Sequence, residues 1–170
     1  LTVAGGIRTL DDIYKLLRAG ADKVAINTAA VRRPQLLTEA ARTFGSQCIV
    51  LSVEAKRTVA GGWEAYTDNG RERTGLDARA WIKQAIELGA GEVLLTSVDR
   101  EGTRKGFDLE LIKAIAPETP VPVIGCGGYR MTRRLRNDRV GGARNDDRQP
   151  GKGTASPLRC ACPRRATTKT

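Results

Sequence analysis

The sequence predicts an α/β fold built on a parallel sheet, and three observations carry that expectation. Short β-rich runs alternate with amphipathic stretches along residues 1–128. The run CIVLSVEA (48–55) is almost continuously apolar, as a strand buried on both faces requires. Glycines, hydroxyls, amides and acids gather where the strand-like runs end, and in βα folds those carboxyl ends open onto one ligand-binding face.

Each element has its own signal. LTVA (1–4) reads as a strand closed by Gly5-Gly6. Thr9 is a predicted N-cap, with Asp11 and Asp12 in the first turn, where acids suit the helix dipole. Leu10, Ile13, Leu16 and Leu17 follow at helical spacing, and Gly20 ends the helix. KVAIN (23–27) is the second strand. Pro34 opens a helix whose apolar face is Leu36, Leu37, Ala40, Ala41 and Phe44, closed by Gly45. After the 48–55 strand, residues 61–74 predict a small hairpin turning at Asn69-Gly70. A helix over about 77–88 turns Trp81, Ile82, Ala85 and Ile86 inward. EVLLTS (92–97) is the fourth strand of the repeat. Leu109, Leu111, Ile112 and Ile115 mark a helix ended at Pro117, and VPVIGC (121–126) is the fifth strand, closed by Gly127-Gly128.

The pattern stops at Tyr129. Residues 129–170 are rich in Arg, Gly, Pro, Asp and Thr and carry 12 Lys+Arg against 3 Asp+Glu, whereas residues 1–128 carry 17 against 16. The formal charge of +10 therefore belongs almost wholly to the last quarter. It reads as a basic low-complexity tail, disordered or frame-shifted, since a further helix is due where the periodicity breaks. A nucleic-acid module is disfavoured because the tail lacks interleaved aromatics for stacking. No apolar run approaches a membrane span, and LTVAGGIRT has no signal-peptide pattern; it reads as a chain entered mid-fold. Cys48 and Cys126 are expected as small buried residues, and Cys160-Ala-Cys162 lacks metal-site spacing. A reducing, cytoplasmic setting follows. The chain has no histidine, so proton transfer falls to carboxylate, Lys, Tyr or Cys.

The stretches TVAGGI (2–7), GADKVAINTAAV (20–31), FGSQCIVLSVEAKR (44–57), TGLDARAWI (74–82), GAGEVLLTSVDREGTRKGFD (89–108) and PVIGCGG (122–128) together resemble the cyclase subunit of imidazole glycerol phosphate synthase. That family is a (βα)8 TIM barrel of histidine biosynthesis. The resemblance implies about five βα units here, equivalent to the family's strands three to seven, with no counterpart of strands one and two. It also implies an ammonia-dependent cyclase (a lyase). Such an enzyme converts phosphoribulosyl-formimino-aminoimidazole-carboxamide ribonucleotide to imidazole glycerol phosphate and aminoimidazole carboxamide ribonucleotide. A glutaminase subunit is the implied partner, and no cofactor or metal is implied. The related isomerase of the same pathway and a noncatalytic phosphate-binding barrel fragment are the alternatives.

Carried over residue by residue, the resemblance makes Glu54 the catalytic carboxylate, although the family has Asp there. A second family aspartate, on strand one, has no counterpart, so this chain is expected to be inactive by itself. Gly6, Asn27 and Thr28 match one phosphate site; alone, each would read as a turn glycine or a helix cap. Glu101, Gly102, Thr103, Gly127 and Gly128 match the second, where glycine turns aim N–H groups at an anion. There the family has Asp at Glu101 and Ser at Cys126. Thr96 is expected to face the pocket, while Asp99 and Arg100 are expected either to pair with each other at the rim or to contact substrate directly. Lys23 and Glu92, at the opposite strand ends, match an ammonia gate; without the resemblance they would read as a salt bridge at the barrel bottom.

Overall fold

The computed structural model describes residues 1–128; the predicted tail lies outside the described residues. Strands β1 (Thr2–Ala4), β2 (Lys23–Ile26), β3 (Ile49–Arg57), β6 (Glu92–Ser97) and β7 (Val123–Cys126) run parallel, each beside the next in that order. Strands β4 (Trp63–Thr67) and β5 (Glu72–Asp77) form an antiparallel hairpin. Helices α1 (Leu10–Arg18), α2 (Thr28–Arg32), α3 (Gln35–Phe44), α4 (Ala78–Glu87) and α5 (Leu109–Ile115) occupy the connections. This is the curled, open portion of a βα barrel.

The sheet's two faces differ, and the alternation of side chains explains how. Val24, Ile26, Ile49, Leu51, Val53, Ala55, Val93 and Leu95 are all buried and belong to one apolar core. They meet Ile13 of α1, Leu36, Leu37 and Ala40 of α3, Trp81, Ile82 and Ala85 of α4, and Leu111 and Ile115 of α5. The intervening residues share the other, concave face. In ladder register these are Ala25 beside Val50, Val50 beside Glu92, Ser52 beside Leu94, and Glu54 beside Thr96. Polar residues on this face thus sit above and below a small apolar belt.

The local signals locate most elements. Thr9 caps α1 in a full capping box: its Oγ1 accepts from the Asp12 N–H (3.2 Å), and the Asp12 carboxylate accepts from the Thr9 N–H (2.9 Å). The Arg8 N–H, the Thr9 hydroxyl and the Thr9 N–H all donate to the Asp12 carboxylate and hold it below its usual pKa. Asp77 and Asp108 cap α4 and α5 more simply, their carboxylates accepting the Ala80 and Leu111 N–H groups.

Several expectations need correction. The chain forms a short helix at Thr28–Arg32 before Pro34. Cys48 lies in a 3-10 turn (Ser46–Cys48) rather than in the strand, and Cys48 and Cys126 are half-buried rather than buried. The fifth parallel strand begins at Val123, not Val121. Leu109 is exposed, because α5 rotates Leu111 and Ile115 into the core. The hairpin is part of the main sheet: β3 continues to Arg57, and its last residues pair with β4.

Candidate functional site

Strand β3 changes partner along its length. Ile49–Leu51 lie beside β2, whereas Glu54–Arg57 lie beside β4. The hairpin therefore stands over the end of β2, at the carboxyl end of the sheet. Tyr66 is the ladder partner of Glu54. Two cation–π contacts hold the hairpin to β3: the Lys56 ammonium lies 5.5 Å from the Tyr66 ring centre and the Arg57 guanidinium 5.4 Å from that of Trp63. Within the hairpin, Glu64 accepts from Arg73 and from the Gly75 N–H, which lowers its pKa.

The hairpin turn is tight. Asp68, Asn69 and Gly70 are all left-handed, with φ of 53°, 57° and 76°. That geometry aims the Gly70 N–H at Glu54, whose Oε2 accepts it at 2.7 Å. The Nδ2 of Asn27 donates to the Tyr66 carbonyl at 3.1 Å, tying the end of β2 to the hairpin. Glu54 is consequently half-buried on the concave face, beneath the turn and beside Thr96. Burial raises its carboxyl pKa; the Gly70 N–H and the Asn27 amide oppose the rise, and the nearby Asp68 carboxylate adds to it. A half-buried carboxyl with a raised pKa beside polar strand ends can exchange protons with a bound molecule.

The remaining strand-end residues surround that carboxyl's end of the sheet. Gly6 follows β1, and Thr28 opens α2 directly after Asn27. Glu101, Gly102 and Thr103 lie in the loop after β6 and are exposed. The Glu101 N–H bonds the Ser97 carbonyl (3.0 Å), and the Thr103 hydroxyl bonds the Arg100 carbonyl (2.8 Å). Gly127 and Gly128 are buried against this loop: the Gly106 N–H donates to the Gly128 carbonyl at 2.7 Å, and a side chain at Gly128 would strike the Gly106 carbonyl. Ser97 turns to the helix side, where its hydroxyl bonds the Asp108 carboxylate at 3.0 Å. Asp99 does not pair with Arg100 as expected; it accepts from the Arg57 N–H at 2.8 Å and pins the β6 loop to the end of β3.

Lys23 and Glu92 occupy the opposite end of the sheet. They form an ion pair across the start of β3, with the Glu92 side chain 11% exposed and that of Lys23 39% exposed. Away from both ends, a cavity of about 540 Å³ opens on the helix side beside α4, with Ile82, Ile86 and Ile115 among its lining. No strand-end candidate borders it. Among the described residues no group of three or more His, Cys, Asp or Glu could hold a metal, and no helix is long and apolar enough to cross a membrane.

Residues 1–143 match the family described as histidine biosynthesis protein. The chain belongs to this family. It is 62% identical over 128 residues to the imidazole glycerol phosphate synthase subunit HisF of Legionella pneumophila, an alignment covering 75% of this chain and 60% of that protein. To the HisF subunit of Streptococcus mutans serotype c it is 50% identical over 127 residues, covering 75% of this chain and 51% of the relative. The chain thus spans between half and three-fifths of these curated relatives. Family membership accounts for the parallel sheet with helices on one face and agrees with the resemblance legible in the strand ends.

The sequence named Glu54 but not its surroundings. Tyr66, Asp68 and Gly70 were legible only as a hairpin. A cue was present: the hairpin follows the Glu54 strand directly, so it must begin at the same end of the sheet.

Proposed function

We propose that this chain is the part of an imidazole glycerol phosphate synthase cyclase subunit that carries one of its two acid–base carboxylates. The observation that supports this reading most is Glu54: a half-buried carboxyl with a raised pKa, at the mouth of a family-matched sheet, next to glycine turns suited to anions. The substrate is the bisphosphorylated ribonucleotide named above. Gly6 and Thr28 hold one phosphate; Gly102, Thr103, Gly127 and Gly128 hold the other, with Glu101 shaping that loop. Thr96, beside Glu54, contacts the reacting centre between them.

The chemistry follows from the residue types. Ammonia reaches the concave face past Lys23 and Glu92, delivered by a glutaminase subunit docked at that end. It adds to the substrate, and ring closure expels the second product; each step needs a proton given or removed, which carboxylates near their pKa supply. The second carboxylate has no counterpart among these residues. The reading entails a lyase working in the cytoplasm. The two HisF relatives favour it over the isomerase.

Titration calorimetry with the bisphosphorylated ribonucleotide tests the binding half. Thr28→Val and Gly128→Val should each weaken binding about tenfold or more, since each removes or displaces donors to a charged group. Unchanged affinity in both would remove the strand ends as the phosphate sites.

A further inference from the structure

Asn27 was expected to bind phosphate, and its bonding suggests different work. A side-chain amide has one nitrogen with two donor hydrogens and one carbonyl that only accepts. The Asn27 Nδ2 donates to the Tyr66 carbonyl at 3.1 Å. The same amide acts on the Glu54 carboxylate, and Tyr66 is the residue directly across the ladder from Glu54. Asn27 serves α2 only through its backbone, whose carbonyl accepts the Val31 N–H at 3.1 Å; its side chain makes no cap and is left for other work. With Nδ2 donating to the hairpin beside a carboxylate, an anion at this side chain would meet the Glu54 carboxylate and the acceptor Oδ1, both of which repel phosphate oxygens.

We propose that Asn27 is a positioning residue: its side chain clamps the Tyr66 backbone and thereby fixes the hairpin turn that holds Glu54, and that side chain is not an anion ligand. The clamp has two ends. At one, Asn27 holds the hairpin through Tyr66; at the other, the Gly70 N–H holds Glu54 Oε2 at 2.7 Å. Strand β4 links the two, so loosening Asn27 frees the turn and lets the carboxylate swing. The charged group acting on Glu54 is Asp68, from the turn; Lys56, two residues on along its own strand, is drawn over the Tyr66 ring. Asn27 and Thr96 add no charge. The proposal rests on Glu54 being the proton-transfer group of the preceding section, but its test needs no turnover.

The test is a carboxyl-detected NMR titration of Glu54 in the full chain, with Asn27→Leu and Asn27→Ala beside it. Hydrogen exchange at the Gly70 amide and binding of inorganic phosphate are measured on the same samples. Removing the amide should raise the Glu54 midpoint. It should also speed Gly70 exchange about fivefold, the worth of one typical hydrogen bond of roughly 1 kcal/mol. Phosphate affinity should stay within about twofold. An unmoved Glu54 midpoint overturns the proposal whatever phosphate does. A loss of phosphate affinity of about tenfold or more overturns it too, because a lost charge-assisted bond is worth that much. Should neither variant fold, the unsubstituted chain decides: the Asn27 side-chain amide and Gly70 N–H resonances must both follow the Glu54 titration, and silence from the Asn27 amide overturns the proposal. Failure of the functional reading looks different: a barrel that keeps turnover with Glu54→Gln would remove Glu54 from the chemistry and leave the clamp intact.

Discussion

Replacing Gly70 by alanine probes the hairpin turn that shapes the candidate site. Gly70 has φ of 76°, a left-handed conformation in which a Cβ costs roughly 1–2 kcal/mol. The new Cβ would also lie 2.9 Å from Val98 Cγ1 and 3.0 Å from Cγ2. Valine is stiff at χ1, so Val98 cannot simply rotate away, and the overlap adds about 1 kcal/mol or more. The total is about 2–3 kcal/mol, or a melting temperature lower by roughly 4–12 °C at about 2–4 °C per kcal/mol for a chain of this size. The assay is thermal unfolding by circular dichroism, with the Glu54 carboxyl titration recorded in parallel. Gly70→Ala should lower the melting temperature and raise the Glu54 midpoint, because the N–H at 2.7 Å is displaced. Combining it with Val98→Ala separates the two costs. The overlap should vanish and the backbone strain remain, giving a coupling of about 1 kcal/mol. A Gly70→Ala chain within about 0.5 kcal/mol of the original, with an unshifted Glu54, would refute both the turn geometry and its hold on the carboxylate.

Four further outcomes are expected. The Glu54 pKa is raised above its reference value of 4.5, so the folded chain binds more protons than the unfolded one between the two values. Glu54's contribution to stability should therefore be full below pH 4.5 and fall as pH rises through the folded-state pKa; Glu54→Gln should remove that pH dependence in urea unfolding and stabilise the chain at neutral pH. Lys23→Met leaves the nearly buried Glu92 carboxylate unpaired and should cost about 1–3 kcal/mol in the same assay, with much of it recovered in Lys23→Met/Glu92→Leu. Thr9→Ala removes the capping box of α1 and should cost about 1 kcal/mol, seen as faster amide exchange in its first turn. Asp108→Ala loses both the Leu111 N–H cap and the buried Ser97 hydroxyl's partner, and should cost about 2 kcal/mol by chemical denaturation, more than Ser97→Ala.

Local physics made most of the scaffold readable. The apolar run at 48–55, the Thr9 cap and the Asn69-Gly70 turn each depend on a few neighbouring residues, and each lies where its signal placed it, β3 shifted by one residue at its start. The side chains at strand ends were readable as a group for the same reason: in a parallel βα repeat every carboxyl end shares one face. What was hidden depends on long-range pairing. Whether Asp99 would meet Arg100 or the Arg57 N–H, 42 residues away, depends on how the β6 loop sits on β3. The Asn27–Tyr66 bond spans 39 residues, and no periodicity in either segment announces it. Helical spacing over 109–115 defines a stripe but not its rotation; the Asp108 cap with Leu111 and Ile115 fixed that rotation and left Leu109 exposed.

The central claim is that Glu54 is an acid–base carboxylate at the mouth of a cyclase barrel. Its most direct test supplies the family strands without counterpart here from a HisF relative. Ammonium-dependent ring closure is then measured with Glu54, Glu54→Asp and Glu54→Gln. Glu54 is one methylene longer than the aspartate that the resemblance implies there, which would displace the carboxylate by about 1.5 Å. Misplacement on the order of 1 Å can lower a rate roughly 100-fold. The account predicts slow turnover with Glu54, clearly faster turnover with Glu54→Asp, and none with Glu54→Gln. Equal rates for all three would contradict it.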